Sequence, residues 1–214
     1  DIVGYLDKLA SNNKDDNYDD MKKSLLRFSL VEKILPKKRT EIKYYYEKLK
    51  ERVAWLTNDP HYWVQYAMAM IPFKDYQAAQ AFIDTAYSLA QRKNMGYHTN
   101  NIDTQQARLY LLRCLDASPQ DAFGLFKNAD DIFRSIPNDI YKYRQVIRYD
   151  EIYKKKYANF SKGDKVFFEQ ACKRIIPQAQ KAIENPIDLY ANDVIITRAR
   201  DSLQRIIDNI EAQR

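Results

Sequence analysis

Glycine is nearly missing from this chain, with 4 in 214 residues. That leaves no material for a phosphate-cradling loop, and neither G-x-x-x-x-G-K-[ST] nor G-x-G-x-x-G occurs. Proline is modest at 7, which with the scarce glycine argues against an all-β fold with many turns. Only two cysteines, Cys114 and Cys172, and two histidines, His61 and His98, are present. They stand at no ligand spacing, so no metal site and no cofactor is expected. No Ser/His/Asp or Cys/His arrangement has a local signature, so no catalytic residue is assigned and no enzyme is expected. No run of about 18 apolar residues exists to span a membrane, and no signal peptide opens the chain. The two thiols read as reduced core residues of a cytoplasmic protein. The start at Asp1, without Met, reads as that of a piece of a longer protein.

What the chain does have is helical spacing. Apolar residues make up 45%, mean hydropathy is -0.64, and tyrosine reaches 17. Tyrosine joins apolar bulk to one polar tip, which suits helix–helix seams that open onto water. Ile2, Tyr5, Leu6 and Leu9 share one helical face, and three- and four-residue steps predict about eight or nine helices, over Asp20–Leu35, Thr40–Leu56, His61–Ile71, Tyr76–Lys93, Ile102–Ala117, Asp121–Ile136, Ile140–Tyr157, Asp164–Glu184 and Asp193–Ala212. Ser11–Asp19 and Asn94–Asn101 read as polar loops. Asp59-Pro60 is a helix start, an acidic cap followed by proline in the first turn. No linker or low-complexity segment splits the chain, so residues 1–214 read as one domain.

The densest pattern runs from Trp63 to Ala86. Trp63, Tyr66, Ala67 and Met70 are followed by a break at Phe73-Lys74-Asp75, then by Ala79, Ile83 and Ala86. Small residues let two helix backbones approach, and Trp63 and Tyr66 are expected to fill the space between them. A weaker copy follows in Ala107, Leu111, Ala122, Phe126 and Ala129. This large–small alternation resembles the tetratricopeptide repeat, with repeat pairs at 61–93 and 102–136. The fold expected is therefore all-α, a tetratricopeptide-like right-handed helical-repeat solenoid.

A narrower resemblance covers about a quarter of the chain. The wording Tyr62-Trp63-Val64-Gln65-Tyr66-Ala67-Met68-Ala69, then Asp75-Tyr76, Ala86-Tyr87-Ser88-Leu89-Ala90, and Ile102-Asp103-Thr104-Gln105-Gln106-Ala107-Arg108 resembles the C-terminal helical-repeat region of bacterial STAND-type P-loop NTPases. Several of these act in anti-phage defence. The resemblance implies a sensor or scaffold module whose partners are a phage-encoded or other trigger protein and the remaining domains of the parent chain. In tetratricopeptide pairs the first helix of each repeat lines the inner groove. Carried over, that places His61, Val64, Met68, Thr104 and Arg108 at a candidate partner-binding face.

Charge offers the second candidate. The net charge is +6, and residues 142–174 alone hold 10 basic and 4 acidic groups, which equals the whole excess. Arg144, Arg148, Lys154, Lys155 and Lys156 form the alternative patch, that of a helical nucleic-acid-binding module. On a helical wheel centred on Val146, however, Tyr149, Tyr153 and Tyr157 gather on one side, while Arg144, Arg148 and Lys155 gather on the other. Nucleic-acid binding wants aromatics and cations on one exposed surface. The adjacent pair Asp130-Asp131 points about 100° apart on a helix and is not expected to converge on a substrate.

Overall fold

The computed structural model describes residues 39–52, 57–92, 96–185 and 193–214. The helical face at Ile2–Leu9, the helix expected at Asp20–Leu35, the loop between them and the end of a helix at Leu56 lie outside the described residues. Among the described residues every regular element is helical. The chain divides into two compact units, Asp1–Ile102 and Asp103–Arg214.

In the first unit, α1 (Arg39–Arg52), α2 (Pro60–Met70) and α3 (Tyr76–Arg92) are held by rings. Asp59 caps α2 by accepting a bond from the His61 backbone N–H at 2.9 Å, with Pro60 in the first turn. That proline spends no donor, because the first turn of a helix leaves its N–H groups without intrahelical acceptors. A 3₁₀ turn, Ile71–Phe73, ends α2, and Lys74 turns the chain with φ 57°, the left-handed region. The Lys74 N–H closes this turn on the Ile71 carbonyl at 2.9 Å. Ala79, Ile83, Ala86 and Ala90 form the buried stripe of α3 against α2, as the spacing predicts.

The expected anchor is shifted by one residue. Tyr62 and Tyr66 are buried, while Trp63 is only partly so. Tyr46, Tyr66 and Phe82 stack in series at 4.3 and 4.0 Å, joining α1, α2 and α3. The Tyr62 hydroxyl donates to the Tyr46 carbonyl at 2.8 Å, and the Trp63 indole donates to the Thr57 carbonyl at 2.9 Å. Each ring thus keeps a partner for its polar tip while its body is taken out of water.

Helix α4 runs Gly96–Asp116, so the loop expected at Asn94–Asn101 is helical from Gly96 onward. The division between the two units falls within it. In the second unit its buried residues Ala107, Leu109, Leu111 and Cys114 lie on more than one side, the mark of a helix enclosed by neighbours. Helix α5 (Pro119–Ser135) is capped by Ser118 and buries Ala122, Phe126, Ala129 and Phe133.

The helix expected over Ile140–Tyr157 is broken into α6 (Ile140–Val146) and α7 (Tyr149–Lys155). At the break the Arg148 N–H bonds the Gln145 carbonyl three residues back at 3.0 Å, although neither glycine nor proline is present. Val146 before the break and Tyr149 and Ile152 after it are all buried. A second 3₁₀ turn, Tyr157–Asn159, leads to α8 (Lys162–Glu184), and α9 (Asp193–Glu211) packs on α8, α6 and α7. The core is strongly aromatic, with Phe126 edge-on to Tyr149 at 4.9 Å and near Phe168 at 4.9 Å.

Candidate functional site

On α2 the residues that reach the surface are not quite those expected. Val64 is 2% exposed and offers no side chain to a partner. His61, Gln65 and Met68 are partly exposed and, at four- and three-residue steps, fall within about 60° of one another on the helix. His61 Nε2 and Gln65 Nε2 share a hydrogen bond at 3.1 Å, which fixes the start of this stripe. In the second unit Thr104 is 3% exposed, and Arg108 is partly exposed. Of the five residues carried over from the repeat pattern, His61, Met68 and Arg108 thus retain surface.

The basic segment is largely spoken for. Lys154 pairs with Asp150 at 2.6 Å and Lys155 with Glu151 at 3.7 Å, each one helical turn away. Lys156 reaches across to the Ala117 carbonyl at 2.6 Å, closing the end of α4. It therefore serves another helix's C-terminus, where orphan carbonyls gather. Arg148 is partly buried, burial lowers its affinity for its proton, and its Nη1 donates to the Arg144 carbonyl at 3.2 Å. Arg144 is exposed and lies over the Tyr141 ring at 5.6 Å, with Tyr141 itself 57% exposed.

The strongest polar grouping was not among the sequence candidates. Asp130, on α5, is fully buried. Arg174 from α8 donates to Oδ1 at 2.5 Å, the Tyr149 hydroxyl from α7 donates to Oδ1 at 3.2 Å, and Arg134 pairs with Oδ2 at 3.2 Å. Burial first, and then the Asp130 charge, push the Tyr149 phenol well above its ordinary value, so Tyr149 stays a donor. Close by, Lys142 on α6 is 2% exposed and donates to Asn138 Oδ1 at 2.8 Å and to Gln178 Oε1 at 3.4 Å.

A signal for both residues was present. Asp130 lies four residues after Phe126 and three before Phe133, on the apolar stripe. Lys142 lies only about 40° from Val146 on a helical wheel, among the buried tyrosines. Chemically, the carboxylate is saturated by three donors and reads as a clamp joining α5, α7 and α8.

Both cysteines are free and buried. Burial pushes the Cys114 thiol up to about 12 and raises Cys172 further, which leaves neither as a nucleophile near neutral pH. Among the described residues no group of three or more His, Cys, Asp or Glu is placed to hold a metal ion. No helix among them is long and apolar enough to cross a membrane. No protein-family model, curated protein or solved structure matches the chain.

Proposed function

We propose that this chain is a non-enzymatic, protein-binding helical-repeat module, a tetratricopeptide-like right-handed solenoid that serves as sensor or scaffold in a larger, cytoplasmic bacterial defence NTPase. The observation that carries the docking reading is the contact order within the second unit. Helix α5 meets the broken helix α6/α7 through Tyr149–Asp130 and meets α8 through Arg174–Asp130. Helix α9 meets α8 and, before it, α6/α7. These contacts, running from α5 on to α9, support a stacked arrangement of the kind that builds a preformed surface. The defence setting rests on the resemblance in the stretch His61–Leu115.

The stripe His61, Gln65 and Met68 is the partner face favoured in the first unit, with Arg108 in the second. The partner is a trigger protein, phage-encoded or otherwise. The parent protein and a form lacking residues 1–214 are expressed in bacteria and challenged with a phage panel. Protection should vanish with the deletion while ATP hydrolysis by the remainder persists. In capture assays Met68→Glu should lower retention of the trigger at unchanged melting temperature. Equal capture by the deletion would sink the sensor reading.

A further inference from the structure

We propose that α6, Ile140–Val146, is a proton-operated segment of the second unit: it opens more readily while the Lys142 amine carries its charge and closes when the amine is neutral. Two observations carry this, the surroundings of Lys142 and the shortness of α6, which ends at a break and holds buried polar atoms without partners.

The Lys142 amine is out of water, and both of its acceptors, Asn138 Oδ1 and Gln178 Oε1, are amide oxygens. Among the described residues no carboxylate pairs with it. From α5 it faces Asp130, whose oxygens are already held by Arg134, Arg174 and Tyr149. From α8 it faces the like charge of Arg174. Asp139, at the start of α6, is engaged in accepting from the Lys142 backbone N–H at 3.0 Å. The acids of α7 are paired elsewhere, Asp150 with Lys154 and Glu151 with Lys155. On α9, Arg200 is bound by Gln180 and Asp201, and Arg198, Arg205 and Asp208 are exposed. Burying an ammonium without a counter-charge favours its neutral form. Burial first, and then Arg174, bring Lys142 from an ordinary 10.5 down to about 8.

The segment carrying this lysine is short and is held through the buried side chains of Tyr143 and Val146. It is 7 residues long, well below the roughly 12–15 at which a helix becomes marginally stable alone. It ends at the break before Arg148, and among the described residues the Tyr143 hydroxyl and Gln145 Oε1 meet no hydrogen-bond partner. Opening this one segment hydrates the ammonium at less cost than unfolding the unit.

The linkage has a definite sign. The open form, with an ordinary lysine, binds a proton more tightly than the closed form. Opening is therefore favoured at and below about pH 8 and is suppressed as pH rises from there toward 10.5. For those two values the opening constant should fall about tenfold between pH 7 and pH 9.

The test is amide hydrogen exchange on the full chain at those two pH values, corrected for intrinsic rates. Amides of α6 should gain about tenfold in protection at the higher pH, while amides of α8 and α9 stay level. In Lys142→Met the gain should disappear from α6. The wild-type comparison of α6 with α8 and α9 decides the matter even if that variant folds poorly. No gain in α6, the same gain in every helix, or a gain that survives in Lys142→Met would overturn the proposal.

Discussion

Asp130 is fully buried among Phe126, Ala129 and Phe133, and it is tolerated there because Arg174, Arg134 and Tyr149 converge on its two oxygens. Removing it would strand a partly buried guanidinium and a buried phenol. Asp130→Ala should cost about 3–5 kcal/mol in urea unfolding. The double variant Asp130→Ala with Arg174→Met should recover part of that loss, because the stranded charge leaves with its partner. The sequence shows that Asp130 and Asp131 diverge, and the divergence is real: Asp131 is exposed and Asp130 is not. What spacing could not show is the identity of the donors, since Arg174 lies 44 residues away. The cysteines make a simpler case, because buried apolar surroundings can be read from helical stripes. Neither Cys114 nor Cys172 should react with a thiol reagent in the native protein near neutral pH, and both should react in denaturant. Labelling of either thiol in the folded state would contradict the burial described above.

At the scale of elements, helix positions were the legible part. Asp59-Pro60 announces a start and the Ala79–Ile83–Ala86 stripe a buried face. Two elements depart from the expected spacing: the loop expected at Asn94–Asn101 is helical from Gly96 onward, and the stretch Ile140–Tyr157 breaks after Val146. Local propensity marks neither, since a glycine among polar residues suggests a loop and no glycine or proline announces the break. The turn after α2 has its own consequence. Lys74 holds a left-handed backbone conformation, which costs a side-chain-bearing residue roughly 1 kcal/mol. Lys74→Gly should therefore raise stability by about 0.5–1 kcal/mol, read as a higher denaturant midpoint at unchanged slope. A loss instead would mean that the Lys74 side chain contributes more than its backbone costs. Lys156 belongs to the same scale: the sequence places it in the basic patch, whereas its amine closes the end of α4.

Across the whole molecule, net charge is a poorer guide than the pairing of charges. The +6 excess coincides with residues 142–174, yet Lys154 and Lys155 face acids one turn away and Lys142 is buried. Phosphate contacts make affinity fall steeply with salt. Binding to single- or double-stranded nucleic acid should therefore be weak at physiological salt and show a shallow salt slope. A slope equivalent to about five released counterions would restore the basic segment as a binding surface.

Both tryptophans of the chain, Trp55 and Trp63, fall within the first unit, and the second has none. Trp63 also stands edge-on to Tyr62 with ring centres 5.0 Å apart, close enough for excited-state energy to pass from phenol to indole. Indole emission is thus a private reporter of one unit, while helical circular dichroism sums over both. Followed together during a single melt, the two signals would coincide if the units unfold as one and separate if each unfolds on its own.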